Sequence, residues 1–510
     1  MDSVACYRVL QARDARFDGH FFTGVRSTGI YCRPVCKVRI PLEKNCLFFS
    51  LPAQAEAAGF RPCLRCRPEL APAAPGLYHW STQDAGAMLV RQALQLLEIP
   101  QGHSVAPWTV QSWAAQLGIS ARHLRRLMEE HLHIAPLQYL QTRRLLHAKQ
   151  WLSDTHWPMN KVARLSGYGS VRGFNAVFAK HYRLTPSALR RTLRQEDTLQ
   201  ASNIHPLAAG FTVYLPYRPP LDARQLIGFL HQRALPGLEA VDLVQLRYAR
   251  SLRVGQGAHR CGGWMAARFI PGSAQVQLQM SASLGPALLE VQSLCRRLLD
   301  LDADPLAYEP LLVPAFPGTE GMRLPGTVDG FELAVRAIVG QQVTVAAART
   351  LCARLVAAFG DSMADKPSMP LQGISHYFPH AARIADLAAS ALGALGLVRQ
   401  RQAAIIGLAR AVAQGDLRLE PGAPLERTLE RLQSIEGIGP WTAQYIAMRA
   451  LRWPDAFPPG DVALHKALGL AHAPRAKALA QAASQVWRPW RSYATIRAWQ
   501  SVAATARAKT

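Results

Sequence analysis

This 510-residue sequence has few acidic residues and no long apolar run. Its 34 Asp and Glu are outnumbered by 58 Lys and Arg, which gives a formal net charge of +24. Without a run of about 18 apolar residues, a membrane-spanning helix is not expected. The charged N-terminal stretch lacks the apolar core of a signal peptide, so we expect a cytoplasmic protein. The surplus of positive charge favours nucleic acid as a partner.

The nine cysteines are concentrated at one end of the chain. Six lie before residue 67, and the other three are single residues in apolar surroundings. A secreted disulfide scaffold would have an even number of cysteines spread along the chain. The distribution therefore indicates a reduced compartment and one local metal site.

Shifts in composition divide the chain into four predicted domains, and the expected fold class is multidomain α+β. Residues 1–75 predict a small zinc-binding α/β domain, and 85–195 have the three- and four-residue apolar spacing of helices. Residues 207–322 alternate as strands of a small antiparallel-sheet domain do, and the Ala/Leu-rich 323–505 predict an all-α domain. A Pro/Ala-rich stretch (68–80) and a polar stretch (194–203) are predicted linkers.

Four of the N-terminal cysteines form two close pairs. Cys32 and Cys36 are separated by three residues, Cys63 and Cys66 by two, and 26 residues lie between the pairs. Two such pairs on turn-rich backbone can hold one Zn²⁺ in tetrahedral geometry. Buried structural thiols or two disulfides are the alternatives, and the reduced compartment disfavours the disulfides.

The residues around these pairs extend the interpretation. RSTGIYCRPVCKVR (26–39) and AAGFRPCLRCRP (57–68) resemble the N-terminal domain of the Ada adaptive-response regulators. The resemblance implies that Cys32 accepts a methyl group from a methylphosphotriester in DNA. Zinc keeps a thiol as the nucleophilic thiolate at neutral pH. Methylation would change the charge of the site from −2 to −1, and the weaker repulsion of phosphate would favour DNA binding.

The second segment contains an internal repeat. The first copy has a turn at Gly118 followed by Ser120, and the second has a turn at Gly167 followed by Ser170. In each copy the serine can cap the helix that follows, so the repeat predicts two helix-turn-helix motifs. Residues 120–195 hold 14 Lys and Arg against three acidic residues, which indicates DNA binding over a merely solvated basic face. The candidate DNA-contacting residues are Arg122, Arg125, Arg126, Arg172 and Lys180. SGYGSVRGFNAVFAKHYRLTPSALRR (166–191) resembles the AraC-type regulators, which implies promoter DNA and RNA polymerase as partners.

The C-terminal segment contains a glycine hairpin and a well-placed carboxylate. Gly437 and Gly439 form a tight turn between two predicted helices, and glycines there let backbone N–H groups approach a phosphate. Asp461 follows in FPPGD and is expected to begin a helix. Taken alone, Asp461 is best interpreted as a helix cap.

Residues 207–503 resemble the 3-methyladenine DNA glycosylase II family, a helix-hairpin-helix fold. The matching stretches are YRPP (217–220), RLPGTVDGFELAVRAIVGQQVTVAAA (323–348), the hairpin, FPPGD (457–461) and WRPWRSYATIRAW (487–499). The resemblance implies that Asp461 is catalytic and that Trp441, Tyr445 and Trp499 form an aromatic pocket for a flipped cationic base. These aromatic residues could also be ordinary helix core. Gln342 falls at the position of the residue that the family inserts into the duplex.

Three absences refine this expectation. Related bifunctional lyases have a Lys where this sequence has Trp441, so water attack without strand cleavage is expected. No cysteine follows Cys352, so we expect no iron–sulfur cluster. No Pro-Cys-His-Arg motif is present, so the methylguanine transferase half of Ada regulators is not expected. Alternatives are a methyl-responsive regulator with a non-catalytic lesion-binding half, and a DNA-packaging protein, which would need neither the cysteines nor the carboxylate.

Overall fold

The computed structural model describes residues 1–73, 85–98, 108–155, 157–192, 210–255, 260–363 and 369–508. The predicted linker 194–203 lies outside these residues, as does the linker 68–80 from residue 74 onward. Within the described ranges, no helix combines the length and the apolarity needed to cross a membrane.

The N-terminal domain is a small sheet covered by two helices. Helix α1 (Ser3–Ala12) is capped by the Asp2 side chain, which accepts from Ala5 N. It is followed by strands β1 (Phe22–Val25), β2 (Ile30–Cys32) and β3 (Cys46–Phe49), helix α2 (Pro52–Ala57) and strand β4 (Arg61–Pro62). The strand order is β3-β1-β2-β4, and β2 and β4 are parallel. Because β2 and β4 are parallel, the residues at their C-terminal ends lie at the same end of the sheet.

The next domain is helical, as predicted. Its helices are α3 (Ala85–Glu98), α4 (Val110–Gln116), α5 (Ala121–Leu132), α6 (Pro136–Asp154), α7 (Met159–Leu165), α8 (Val171–Tyr182) and α9 (186–192). Gly118 and Gly167 have φ values of +69° and +80°, the left-handed conformation that glycine adopts without a steric penalty. The Ser120 and Ser170 side chains cap α5 and α8. The predicted double helix-turn-helix is confirmed.

The third domain is an antiparallel sheet with three helices. Strand β5 (Gly210–Pro216) and helix α10 (Ala223–Arg233) precede β6 (Glu239–Asp242), β7 (Arg247–Val254), β8 (Cys261–Phe269) and β9 (Gln275–Ser281), and α11 (Leu288–Leu299) and α12 (Pro305–Leu312) follow. The strand order is β5-β9-β8-β7-β6. Alternate residues such as Val276, Leu278 and Met280 are fully buried, as the twofold period of a half-buried strand requires.

The C-terminal domain is helical in the described residues. It comprises α13 (Gly330–Val339), α14 (Val345–Phe359), α15 (Ala381–Ala385), α16 (Ala389–Gly393), α17 (Arg399–Ala413), α18 (Leu425–Gln433), α19 (Pro440–Arg449), α20 (Val462–Ala467), α21 (Ala476–Ala483) and α22 (Arg491–Ala508). The α18–turn–α19 unit is the predicted hairpin. The multidomain α+β fold class is confirmed.

The second helix-turn-helix unit shares a hydrophobic core with the antiparallel sheet. Buried Trp151 and Phe174 belong to the same cluster as Val213 and Leu278. At this junction the Gln150 amide donates to Gln292 Oε1 at 2.5 Å. The polar stretch 194–203 therefore separates two domains in sequence that are packed together in space.

Candidate functional site

The four paired cysteines converge on one point. β2 ends at Cys32, and Cys63 follows β4 directly; Cys63 N donates to Tyr31 O at 2.9 Å. Because β2 and β4 are parallel, both cysteine pairs leave the sheet at the same end. The sulfur atoms of Cys32, Cys36, Cys63 and Cys66 all lie within 4.8 Å of one another. Tetrahedral zinc with Zn–S bonds of about 2.3 Å needs sulfur–sulfur distances of roughly 3.8 Å, so the set fits this metal.

The four thiols form one interacting cluster. Arg33, which the sequence analysis did not single out, supports the cluster. Its backbone N lies 3.4 Å from Cys66 Sγ, and its guanidinium donates to Cys66 O and to the Asp18 carboxylate. The sequence signal was its position directly after Cys32.

The predicted DNA-contacting cations lie on the exposed sides of α5 and α8. Arg122, Arg125 and Arg126 are exposed on α5, and Arg172 and Lys180 are exposed on α8. Arg125 also pairs with Glu129 one helical turn away, with Nε 2.8 Å from Oε1. The opposite sides of both helices are buried, so each helix presents its basic side outward.

A buried carboxylate joins the zinc domain to the helix-turn-helix domain. Glu56 on α2 accepts a hydrogen bond from Tyr31 OH at 3.0 Å and another from Thr142 Oγ1 on α6 at 2.6 Å. His181 Nε2 on α8 lies 2.6 Å from the second carboxylate oxygen. Tyr31 directly precedes Cys32 in the sequence. Glu56 therefore lies between the cysteine cluster and the second helix-turn-helix unit, a contact that the sequence analysis missed.

Asp461 is held at the head of α20, as predicted. The Pro-Pro-Gly turn positions it through Asp461 N, which donates to Pro458 O at 3.0 Å, and its side chain caps the helix by accepting from Leu464 N at 2.7 Å. Its relative exposure is 8%. Two indole N–H groups also donate to this carboxylate: Trp441 Nε1 to Oδ2 at 2.9 Å and Trp499 Nε1 to Oδ1 at 3.0 Å. The Asp461 carboxylate therefore both caps α20 and contacts the two tryptophans predicted to form the pocket.

The three predicted aromatic pocket residues are neighbours. The Trp441 and Tyr445 rings are stacked, with centroids 5.4 Å apart and planes at 10°, and Trp499 lies 6.1 Å from Tyr445. Arg449 Nη1 donates to Tyr445 OH at 2.6 Å. Burial acts to raise the pKa of Tyr445, but Arg449 and Arg233 outweigh it and the pKa falls below its usual value. The three rings are half-buried.

The hairpin is tied to the turn that contains Gln342. Gly437 has a φ of +85°, and a Cβ there would lie 3.0 Å from the Ala404 side chain, so both the backbone and the space require glycine. Gln341 Nε2 donates to Gly437 O at 2.9 Å and to Thr442 Oγ1 at 3.0 Å. Gln342 is exposed and has a φ of +53°, rare for a side-chain-bearing residue. Gln341, missed by the sequence analysis, is what links the two loops.

Four family models match consecutive parts of the chain. They are the metal binding domain of Ada over residues 5–69, a helix-turn-helix domain over 113–192, the AlkA N-terminal domain over 212–329 and the HhH-GPD superfamily base excision DNA repair protein over 335–492. These matches contain the cysteine cluster, helices α5 and α8, most of the antiparallel sheet, the hairpin and Asp461.

Among the proteins similar to this chain are two bifunctional regulators and one glycosylase. The probable bifunctional transcriptional activator/DNA repair enzyme AlkA of Mycobacterium tuberculosis is 36% identical over 508 residues, covering 98% of this chain and 97% of that protein. DNA-3-methyladenine glycosylase 2 of Escherichia coli is 36% identical over 288 residues, 56% of this chain and 95% of that protein. The bifunctional transcriptional activator/DNA repair enzyme Ada of Escherichia coli is 36% identical over 142 residues, 28% of this chain and 36% of that protein.

Proposed function

This chain belongs to the family of the probable bifunctional transcriptional activator/DNA repair enzyme AlkA of Mycobacterium tuberculosis, and we propose that it releases alkylated purines such as 3-methyladenine from double-stranded DNA. In this proposal the C-terminal half hydrolyses the N-glycosidic bond. The zinc domain accepts methyl groups from methylphosphotriesters, and the helix-turn-helix domain binds promoter DNA and activates transcription.

The observation that carries the proposal is the buried carboxylate beside a half-buried aromatic wall. Asp461 is 8% exposed and is held between the indoles of Trp441 and Trp499. The faces of electron-rich rings attract a cation, and an N-alkylated purine is cationic. A fixed negative charge next to such a site suits a reaction in which positive charge develops on the sugar.

The chemistry that this arrangement supports is hydrolysis. The bond from C1′ to the purine nitrogen breaks, and its electron pair goes to the base, which leaves neutral because it was cationic. Asp461 stabilises the oxocarbenium-like sugar and positions a water molecule. The water oxygen bonds to C1′, its proton is released, and an abasic site remains. No lysine stands at the Trp441 position to form a Schiff base, so the strand stays intact.

Backbone groups of the hairpin hold the DNA in this proposal. Gly437 and Gly439 allow the N–H groups at the start of α19 to approach a phosphate without reading sequence. Gln342, exposed on its strained turn, fills the space left by the flipped nucleotide. Gln341 keeps the two loops at a fixed separation through its bonds to Gly437 O and Thr442.

The zinc domain acts as a stoichiometric methyl acceptor. One Zn²⁺ would be held by Cys32, Cys36, Cys63 and Cys66, and when bound it would keep their thiols deprotonated and nucleophilic. Cys32 Sγ forms a bond to the methyl carbon of the phosphotriester, the carbon–oxygen bond breaks, and an ordinary phosphodiester anion leaves. The methylated site carries one negative charge less, so it repels promoter DNA less.

Promoter DNA and RNA polymerase are the proposed partners of the regulatory half. The exposed cations of α5 and α8 supply phosphate and base contacts in the major groove. Because its substrate and its promoter are both chromosomal, we place the protein at the nucleoid. We also propose that the glycosylase half works without an iron–sulfur cluster, since the last cysteine of the sequence is Cys352.

Base release from alkylated duplex DNA tests the central proposal. Wild type should release 3-methyladenine, and Asp461→Asn should lower the rate by orders of magnitude because the charge is lost while size is kept. Asp416→Asn is the matched control, since Asp416 is exposed on the same domain. Near-normal release by Asp461→Asn, or no release by wild type, would contradict the proposal.

A further inference from the structure

Three hydrogen-bond donors surround the Asp461 carboxylate, and they are unequally shared between its oxygens. Oδ1 accepts from Leu464 N at 2.7 Å and from Trp499 Nε1 at 3.0 Å, whereas among the described residues Oδ2 accepts only from Trp441 Nε1 at 2.9 Å. An ionised carboxylate has about four lone-pair sites, two on each oxygen. Oδ1 is therefore saturated, and the remaining lone pair belongs to Oδ2.

From this geometry we infer that Trp441 and Trp499 are positioning residues that clamp Asp461 through their N–H groups and direct Oδ2 toward the sugar and the attacking water. The inference rests on the proposed function, because it assigns the orientation of the proposed catalytic carboxylate. Each indole would then have two roles: its face contacts the base, and its N–H edge holds the Asp461 carboxylate.

The location of the donors explains why a clamp is needed. A single hydrogen bond from the helix cap leaves the planar carboxylate free to tilt about the Cβ–Cγ bond, and such a tilt moves both oxygens. Trp441 comes from α19 and Trp499 from α22, so the two indoles approach the carboxylate from separate helices. Each indole also contacts the aromatic wall, since Trp441 stacks on Tyr445 and Trp499 lies 6.1 Å from it. The clamp therefore joins the base-binding wall to the reacting oxygen.

The two indoles should contribute unequally. Without the Trp499 N–H, Oδ1 still accepts from Leu464 N and Oδ2 from Trp441. Without the Trp441 N–H, Oδ2 has no donor among the described residues, so the carboxylate is held through Oδ1 alone and the reacting oxygen loses its direct support. Replacing Trp441 should therefore cost more activity than replacing Trp499, an order that follows from the lone-pair assignment and not from ring size.

The test separates the N–H edge from the ring face by substitution with phenylalanine and with leucine. Trp441→Phe and Trp499→Phe keep an aromatic face and lose the donor, whereas Trp441→Leu and Trp499→Leu lose both. Each variant is measured by single-turnover release from alkylated duplex DNA, which gives a maximal rate and a half-saturating enzyme concentration. Trp264→Phe is the matched control, because Trp264 is buried in the sheet domain and its Nε1 has no hydrogen-bond partner among the described residues.

We expect both phenylalanine variants to lower the maximal rate, Trp441→Phe by roughly tenfold to hundredfold and Trp499→Phe by less, as loss of a charge-assisted hydrogen bond commonly does. The half-saturating concentration should change less than threefold in both. Wild-type maximal rates in the phenylalanine variants, with losses confined to the leucine variants, would overturn the clamp and leave only stacking. A larger loss in Trp499→Phe than in Trp441→Phe would overturn the assignment of Oδ2.

Asp461→Asn, assayed in the same series, distinguishes this inference from the proposed function. If Asp461→Asn is inactive and the phenylalanine variants are not impaired, the clamp is wrong and the glycosylase proposal stands. If Asp461→Asn retains near-normal release, both are wrong.

Discussion

Arg218 Nε donates a hydrogen bond to the backbone oxygen of Asp18 at 2.7 Å, across 200 positions of sequence. Arg218 follows β5 of the sheet domain, is fully buried, and also donates to Asp302 O and Ala73 O. The Asp18 side chain accepts from Arg33 beside the cysteine cluster. One guanidinium thus connects the zinc domain with the glycosylase half.

We predict that Arg218→Ala loosens this docking. Removing the guanidinium leaves several buried carbonyls without a donor, which should cost about 3 kcal/mol of unfolding free energy. Thermal unfolding should then show the zinc domain melting before the glycosylase half. Arg224→Ala, an exposed arginine on α10, is the control and should unfold as wild type does. An unchanged melting profile in Arg218→Ala would show that the contact contributes little.

The cysteine cluster should bind one zinc per chain. Replacing Cys63 or Cys66 by serine should release the metal and unfold the N-terminal domain, because a four-ligand structural site contributes directly to folding. Lys149 on α6 donates to Cys63 O at 3.0 Å, so the unfolding should also reach the helix-turn-helix domain. Zinc content and circular dichroism measure both effects. Cys46→Ser, outside the cluster, should keep its zinc, and zinc-free wild type purified without chelator would contradict the assignment.

Methyl transfer from a phosphotriester should label Cys32. Peptide mass mapping after incubation with methylated DNA should place a single methyl group there, and promoter affinity should rise. Cys295 and Cys352 are internal controls, because burial raises the pKa of each to about 12 and leaves almost no nucleophilic thiolate at neutral pH. A methyl group found only on another cysteine would count against the proposed acceptor.

Glu56 should be needed for promoter binding more than for zinc binding. Glu56→Gln weakens the acceptor shared by Tyr31, Thr142 and His181, which should cost about 1–3 kcal/mol of stability. Since the His181 contact fixes α8 and the Thr142 bond fixes α6 against the zinc domain, we expect weaker promoter binding at unchanged zinc content, measured by fluorescence anisotropy and metal analysis. Glu130→Gln, exposed on α5, is the control. Wild-type affinity in Glu56→Gln would mean that α8 keeps its position without this carboxylate.

Wild type should leave alkali-labile abasic sites and no covalent complex. Trp441 cannot form a Schiff base, so borohydride added during turnover should trap nothing on a denaturing gel. A lyase that carries lysine at the equivalent hairpin position provides the positive control. A trapped adduct would show that an amine elsewhere in the chain attacks the sugar.

Features that depend on neighbouring residues were predictable from the sequence. The paired cysteines, the left-handed Gly118 and Gly167 with their capping serines, and Asp461 after Pro-Pro-Gly each follow from a local backbone preference. Such preferences act over a few residues, so spacing alone indicates them. The chemistry of four thiolates, and of a carboxylate with tryptophan and not lysine at hairpin position 441, follows from residue type.

Side-chain orientation and domain docking depended on the tertiary structure. The sequence placed Trp441 and Trp499 in an aromatic pocket, but their N–H groups point to Asp461 only because α19, α20 and α22 meet at one point. Glu56 lies in none of the motifs, and YRPP contains Arg218 without indicating what its guanidinium contacts. Both residues bond to groups in other domains. A buried polar group without a hydrogen bond costs free energy, so each of these groups needs a partner. The identity of that partner depends on how segments distant in sequence pack together, which local residue spacing does not encode.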